Sequence, residues 1–261
     1  MQQVLAAIAG GLAMPLALGL LALHYLDVRQ PDKWSSAPAG IGLLSAVLAE
    51  LVEHWAWNII RKINPDLHPE ATDRTLSGLW HDHALSANLL IGSVGAALPE
   101  ELIVGILFFS WLWTRNQIER EGASAIIFAG AVTALSFAAF ENVYFLTRLG
   151  LSSNLIVYRS LFATPVHFAA GLGLGMFGAI GIKSEAPSAP LAWMIGGTAL
   201  AVTGHSVYDV IVMSATSLDR LGLLSRPQTI LAAFAALALS VSLILVPSVI
   251  FYRRVVFSRA P

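Results

Sequence analysis

The chain has 261 residues, of which 56% are hydrophobic and 12% charged, with a mean hydropathy of +0.72. A soluble domain carries about 25% charged residues, so composition excludes an ordinary water-solvated globule and points to a bilayer, which tolerates helices that are apolar all round. The net charge of −1 gives no electrostatic reason to expect nucleic acid as a partner, and the lack of cysteine excludes disulfides, thiol catalysis and thiolate metal sites.

Taken in chain order, seven apolar stretches are long enough to cross about 30 Å of hydrocarbon: 4–26, 38–60, 84–114, 124–148, 155–182, 190–214 and 228–252. The predicted fold is an all-α polytopic bundle forming a single integral membrane domain, 1–261. Residues 1–3 carry no Lys or Arg, so the first stretch lacks the basic flank of a signal peptide and reads as a retained helix. The third stretch is too long for one upright helix and too short for two. Pro99 lies at its middle, which predicts a kink, or a break that would raise the count to eight. Trp55, Trp57, Trp80, Trp111, Trp113 and Trp193 lie near span ends, as an aromatic belt requires. The run Gly171-Leu172-Gly173-Leu174-Gly175 suits close helix contact. The hydrophilic segment 61–83 reads as an external loop with an interfacial piece, and its His81-Asp82-His83 resembles a metal cluster but lies at the membrane surface.

Seven spans place the termini on opposite sides. The C-terminal tail and the odd-numbered loops hold Arg29, Lys33, Arg115, Arg120, Lys183, Arg253, Arg254 and Arg259, against Arg61, Lys62, Arg74, Arg148, Arg220 and Arg226 on the other side. The excess leans toward a cytoplasmic C-terminus and an extracytoplasmic N-terminus.

Ionisable residues inside membrane spans are costly and by default mark function. Here they concentrate in four successive spans: Glu100 and Glu101 after Pro99, Glu141 with Asn142, Arg159 and His167 after Pro165, and His205 with Asp209. Because neighbouring helices alternate in direction, Glu141, His167 and His205 all fall toward the side of the even-numbered loops, with Glu100 near mid-depth. Convergence of Glu100, Glu141, His167 and His205 on one cavity is therefore expected. Helical spacing puts Phe137, Glu141, Tyr144 and Arg148 on one stripe and makes His205 and Asp209 neighbours, so that Asp209 can orient the imidazole. Glu100 and Glu101 diverge by about 100° on an ideal helix, so one of them at most is expected to aim straight at a common centre. Pro99 and Pro165 are expected to leave the carbonyls of Gly95 and Leu161 without their helical donors. Glu50, Glu53 and His54 of the second span face the same side and lie within reach of the cavity.

A carboxylate shielded from water can act as a general base near neutral pH. Two imidazoles can hold a metal or donate to an oxyanion. Together they suit activation of water on a carbonyl, as in peptide hydrolysis. The HExxH spacing of soluble zinc proteases is absent, and no GxSxG motif appears.

Pro99-Glu100-Glu101, Phe137-xxx-Glu141-Asn142-Val143-Tyr144, Arg159 with Thr164-Pro165-Val166-His167, and His205-xxx-Asp209, in that order on four predicted helices, resemble the PrsW family of bacterial membrane proteases, which is similar to the CAAX prenyl protease and Abi superfamily. The motif-bearing core is 95–210. The resemblance implies an intramembrane endopeptidase that hydrolyses membrane-anchored proteins near the extracytoplasmic side, an anti-sigma factor being the substrate type. It implies Glu100, Glu101, Glu141, His167 and His205 as catalytic, with Asn142, Arg159 and Asp209 in support. Metal ligation, most plausibly of zinc, would fall to His167, His205, Glu100 and Glu141, beside a metal-free alternative in which Glu100 activates water and the histidines stabilise the oxyanion. The family's paired glutamates are followed three residues later by lysine; here that slot is Val104, with Arg159 as a substitute cation.

Two other readings remain open at this stage. Buried Glu and His chains also form the proton relays of transporters, although no inverted repeat is visible. A catalytically silent membrane scaffold is the second, kept open by Val104.

Overall fold

A computed structural model describes residues 2–26, 28, 31–63, 84–114, 122–149, 152–184 and 189–257. Every regular element among them is helical, and seven helices are long and apolar enough to span a membrane: Ala6–Leu26, Ser35–Ile60, Ala87–Thr114, Gly122–Leu149, Leu155–Lys183, Pro190–Arg220 and Arg226–Val255. The protein is thus a multi-pass membrane protein. His81-Asp82-His83 and Trp80 lie outside the described residues.

Burial divides the spans into an inner pair and an outer ring. In the fourth and fifth spans 78% of the most apolar window is buried, against 22% in the first and seventh. The fourth span packs against the first, second and fifth, and the fifth against the fourth, sixth and seventh. Large apolar side chains such as Leu20, Tyr25 and Leu231 point outward, as expected where lipid solvates them.

The inner pair meets through glycine. A Cβ on Gly171 would strike the carbonyl of Gly130, and one on Gly175 would strike the backbone of Ile127. Hydrophobicity does not drive helices together in lipid, so this close backbone approach supplies the contact. It also holds the fourth and fifth spans, which carry Glu141 and His167, in fixed register.

The third stretch is one continuous helical run, with no break at Pro99 and no eighth span among the described residues. Its middle turn, Ile91–Ala97, is π-helical, and the Leu98 amide donates to the Ser93 carbonyl five residues back. The fifth span repeats the device: Arg159–Ala163 is π-helical, and the Thr164 amide donates to the Arg159 carbonyl. A proline lacks the N–H for an α-helical bond and its ring crowds the carbonyl four residues before it. The wider π turn absorbs that mismatch, and the chain continues as one helix where a kink or a break had been expected. Each π turn directly precedes polar residues, Glu100 and Glu101 in one span and His167 in the other, a placement typical of functional sites.

Candidate active site

Four spans deliver their buried polar side chains to one place. Glu100, Glu101, Glu141, Asn142, His167 and His205 are all buried. Glu141 Oε2 lies 2.9 Å from His167 Nε2 and 2.5 Å from Arg159 Nη2. His205 Nδ1 lies 3.0 Å from Glu101 Oε1 and 3.7 Å from Glu100 Oε2, while its Nε2 lies 3.5 Å from Asp209 Oδ2. His167 reaches the same paired glutamates, with Nδ1 3.8 Å from Glu101 Oε1 and Nε2 4.0 Å from Glu100 Oε2. The two imidazoles stand edge to face, centroids 4.7 Å apart. Phe137 covers His167 at 5.1 Å, one turn before Glu141 on the same stripe.

Both paired glutamates therefore approach the histidines, where helical geometry alone had allowed one. A glutamate side chain is long enough to close an angular gap that the backbone positions leave.

Arg159 forms its ion pair with Glu141, and among the described residues it forms none with Glu100 or Glu101. Its Nη2 pairs with Glu141 and its Nε donates to Asn142 Oδ1 at 2.9 Å. The Asn142 amide in turn donates to Thr164 Oγ1 at 3.0 Å and to the Gly11 carbonyl at 3.3 Å, and Thr164 Oγ1 donates to the Arg159 carbonyl at 3.0 Å. This chain ties the first, fourth and fifth spans together behind the histidines. Val104 is buried among apolar residues of the core, so the lysine slot is filled by packing.

Within the cluster the carboxylates outnumber the fixed cations. Glu100, Glu101, Glu141 and Asp209 surround His167 and His205, with Arg159 the guanidinium among them. Glu100, His167 and His205 each offer a ligand atom, all within 4.8 Å of one another. Glu100 Oε2 is buried with no hydrogen-bond partner. A buried carboxyl oxygen without a donor, beside two imidazoles, fits a divalent cation in ligand type.

Two contacts lay beyond sequence reasoning. Thr164 and the Gly11 carbonyl hold Asn142; the threonine was visible in the motif before Pro165, but nothing in the sequence tied residue 11 to residue 142. Glu53 was within expected reach, on the second helix. It lines a cavity of about 620 Å³ with Glu50, His54, Asn58, Tyr144 and Arg148.

Seven membrane helices around a buried set of carboxylates and imidazoles define a membrane-embedded hydrolase. Residues 30–246 match the family described as PrsW family intramembrane metalloprotease, and the chain belongs to that family. It is accordingly a membrane protease, acting on protein substrates from within the bilayer. No curated protein and no solved structure matches the chain.

Proposed function

We propose that the protein is an endopeptidase that cuts membrane-anchored proteins near the extracytoplasmic face, and that Glu100, Glu101, Glu141, His167 and His205 do the chemistry. The carrying observation is the union of ligand atoms from Glu100, His167 and His205 within 4.8 Å with the Glu101 carboxyl beside them, its Oε1 3.0 Å from His205 Nδ1.

In this reading Glu100, His167 and His205 hold a divalent ion, zinc matching the two-nitrogen, one-oxygen set. When bound, the ion supplies Lewis-acid polarisation of the scissile carbonyl. Glu101 takes a proton from the attacking water and returns it to the leaving amine, so that one water is consumed and one amine and one carboxyl end are released. Glu141, neutralised by Arg159, fixes the ring of His167 through Nε2, and Asp209 faces the far nitrogen of His205. Ligand histidines are ordinarily oriented by such partners.

The orientation follows the charge bias, with the N-terminus extracytoplasmic and the C-terminus cytoplasmic. The cluster then sits in the outer half of the bilayer, and an anti-sigma-factor-like single-span protein is a fitting substrate. Mapping new protein N-termini in cells that express the protein or lack it tests this reading. Cuts near the extracytoplasmic ends of single-span proteins, present only with the protein, are expected; identical N-terminal profiles would overturn it.

A further inference from the structure

Two of the large cavities among the described residues differ in kind. One is the polar cavity between the second and fourth spans, which Glu53 lines. The other is a groove of about 690 Å³ between the third and sixth spans, lined by apolar side chains including Leu102, Ile106, Ile195, Ala199 and Val202. The proposed chemistry uses neither.

We propose that the groove is the docking site for the transmembrane helix of the substrate, and that it fixes the direction in which the substrate enters. The inference rests on the protease reading above and deepens it. The groove belongs to the same seam that builds the cluster. Glu101 meets His205 across the third and sixth spans. One turn further along the third span, Gly105 faces Thr198 of the sixth so closely that a Cβ there would strike the threonine hydroxyl. Both residues line the groove. Thr198, Val202 and His205 recur at helical spacing and share one stripe of the sixth span. A helix seated in the groove therefore lies along a line that leads to the Glu101–His205 contact.

The lining also suits a lipid-soluble helix. Leu102, Ile106 and Ile195 are exposed there, and the Thr203 hydroxyl is satisfied by the Ala199 carbonyl of its own helix. Nothing in these contacts demands a polar ligand, and lipid-side packing onto an exposed small residue such as Ala199 is how membrane helices associate.

Depth gives the direction. The groove, lined from 98 to 113 on the third span and from 191 to 203 on the sixth, lies mostly on the side of Glu101 and His205 that leads to Thr114 and Ala189. The polar cavity, lined from 47 to 58 on the second helix and from 140 to 148 on the fourth span, lies toward the opposite ends, at Ile63 and Leu149. A substrate helix in the groove thus reaches the cluster at its end, and the polar chain beyond it continues into the cavity lined by Glu50, Glu53 and Arg148. The scissile bond falls where the substrate passes from apolar to polar.

The absence of cysteine makes the test direct. Single cysteines at Ile106 and Ile195, with Leu231 on the seventh span as control, are placed in the full chain carrying Glu101→Gln so that turnover does not interfere. The probe is a peptide with a helix of about 20 Leu and Ala residues, one cysteine at mid-helix and a Gly/Ser tail, reconstituted with the protein in phosphatidylcholine vesicles. With an added thiol oxidant such as copper phenanthroline, disulfide formation at Ile106→Cys and Ile195→Cys is expected to exceed that at Leu231→Cys about tenfold, and Ala199→Trp is expected to bring it down to the control; this corresponds to about 1.4 kcal/mol of docking. All four positions are exposed, so these variants leave the core untouched. Equal rates at the three positions, or no effect of Ala199→Trp, would overturn the inference and leave the groove to lipid chains. The protease reading fails by a different result: the groove crosslinks form, but wild-type vesicles cut no membrane protein.

Discussion

Arg159 closes on Glu141 at 2.5 Å while its Nε donates to Asn142, the next residue along the fourth span. A guanidinium can engage two neighbouring acceptors in this way because its donors are fixed in one plane. Removing it leaves the Glu141 carboxylate at 11% side-chain exposure without its cation. Arg159→Leu is therefore expected to destabilise the fold by about 3–5 kcal/mol, the cost of breaking a buried pair from one side. Thermal unfolding in detergent measures it. The double variant Arg159→Leu with Glu141→Gln should recover part of the loss, since the uncompensated charge is then gone.

The glycine seam between the two inner spans gives a prediction of a different kind. Gly175→Leu forces a side chain into the backbone of Ile127. Overpacking of this sort costs about 1–3 kcal/mol. Because the fourth and fifth spans carry Glu141 and His167, cleavage should fall with stability. A variant at exposed Leu231 should leave both unchanged in the same unfolding and cleavage assays.

Metal analysis of the purified protein should find one zinc per chain. His167→Ala and His205→Ala should each abolish it, as should chelator treatment, with activity restored by zinc. Imidazole must be deprotonated to ligate, so metal affinity should fall as the medium is acidified. Full activity with no stoichiometric metal would remove the ion and leave Glu100, with its unpartnered oxygen, as the group that activates water.

Most of this architecture could be read from residue order, for physical reasons. Hydrocarbon thickness fixes the length of a span, so seven apolar runs translate directly into seven helices. The cost of burying charge makes Glu100, Glu141, His167 and His205 conspicuous, and alternating helix direction places them at one depth. What could not be read is local backbone adjustment and long-range pairing. A proline in a helix signals that a hydrogen bond is missing, but whether the chain breaks or widens into a π turn depends on packing around Pro99 and Pro165. The divergence of Glu100 and Glu101 was judged from an ideal helix, which ignores the reach of the side chains. Arg159 lies near a span end, where a long cation can extend to water as readily as inward; only the positions of Glu141 and Asn142 decide between them. The contact of Asn142 with the Gly11 carbonyl has no signature in either segment.

The central claim is that the paired glutamates divide the work, Glu100 holding the ion and Glu101 moving the proton. It is tested most directly by measuring cleavage and bound zinc together for wild type, Glu100→Gln and Glu101→Gln in proteoliposomes, with unfolding curves to establish that each is folded. Glu101→Gln should retain zinc and lose about 10²–10⁴-fold in rate, the usual contribution of a general base. Glu100→Gln should lose both zinc and activity. Near wild-type cleavage by either folded variant would contradict the account.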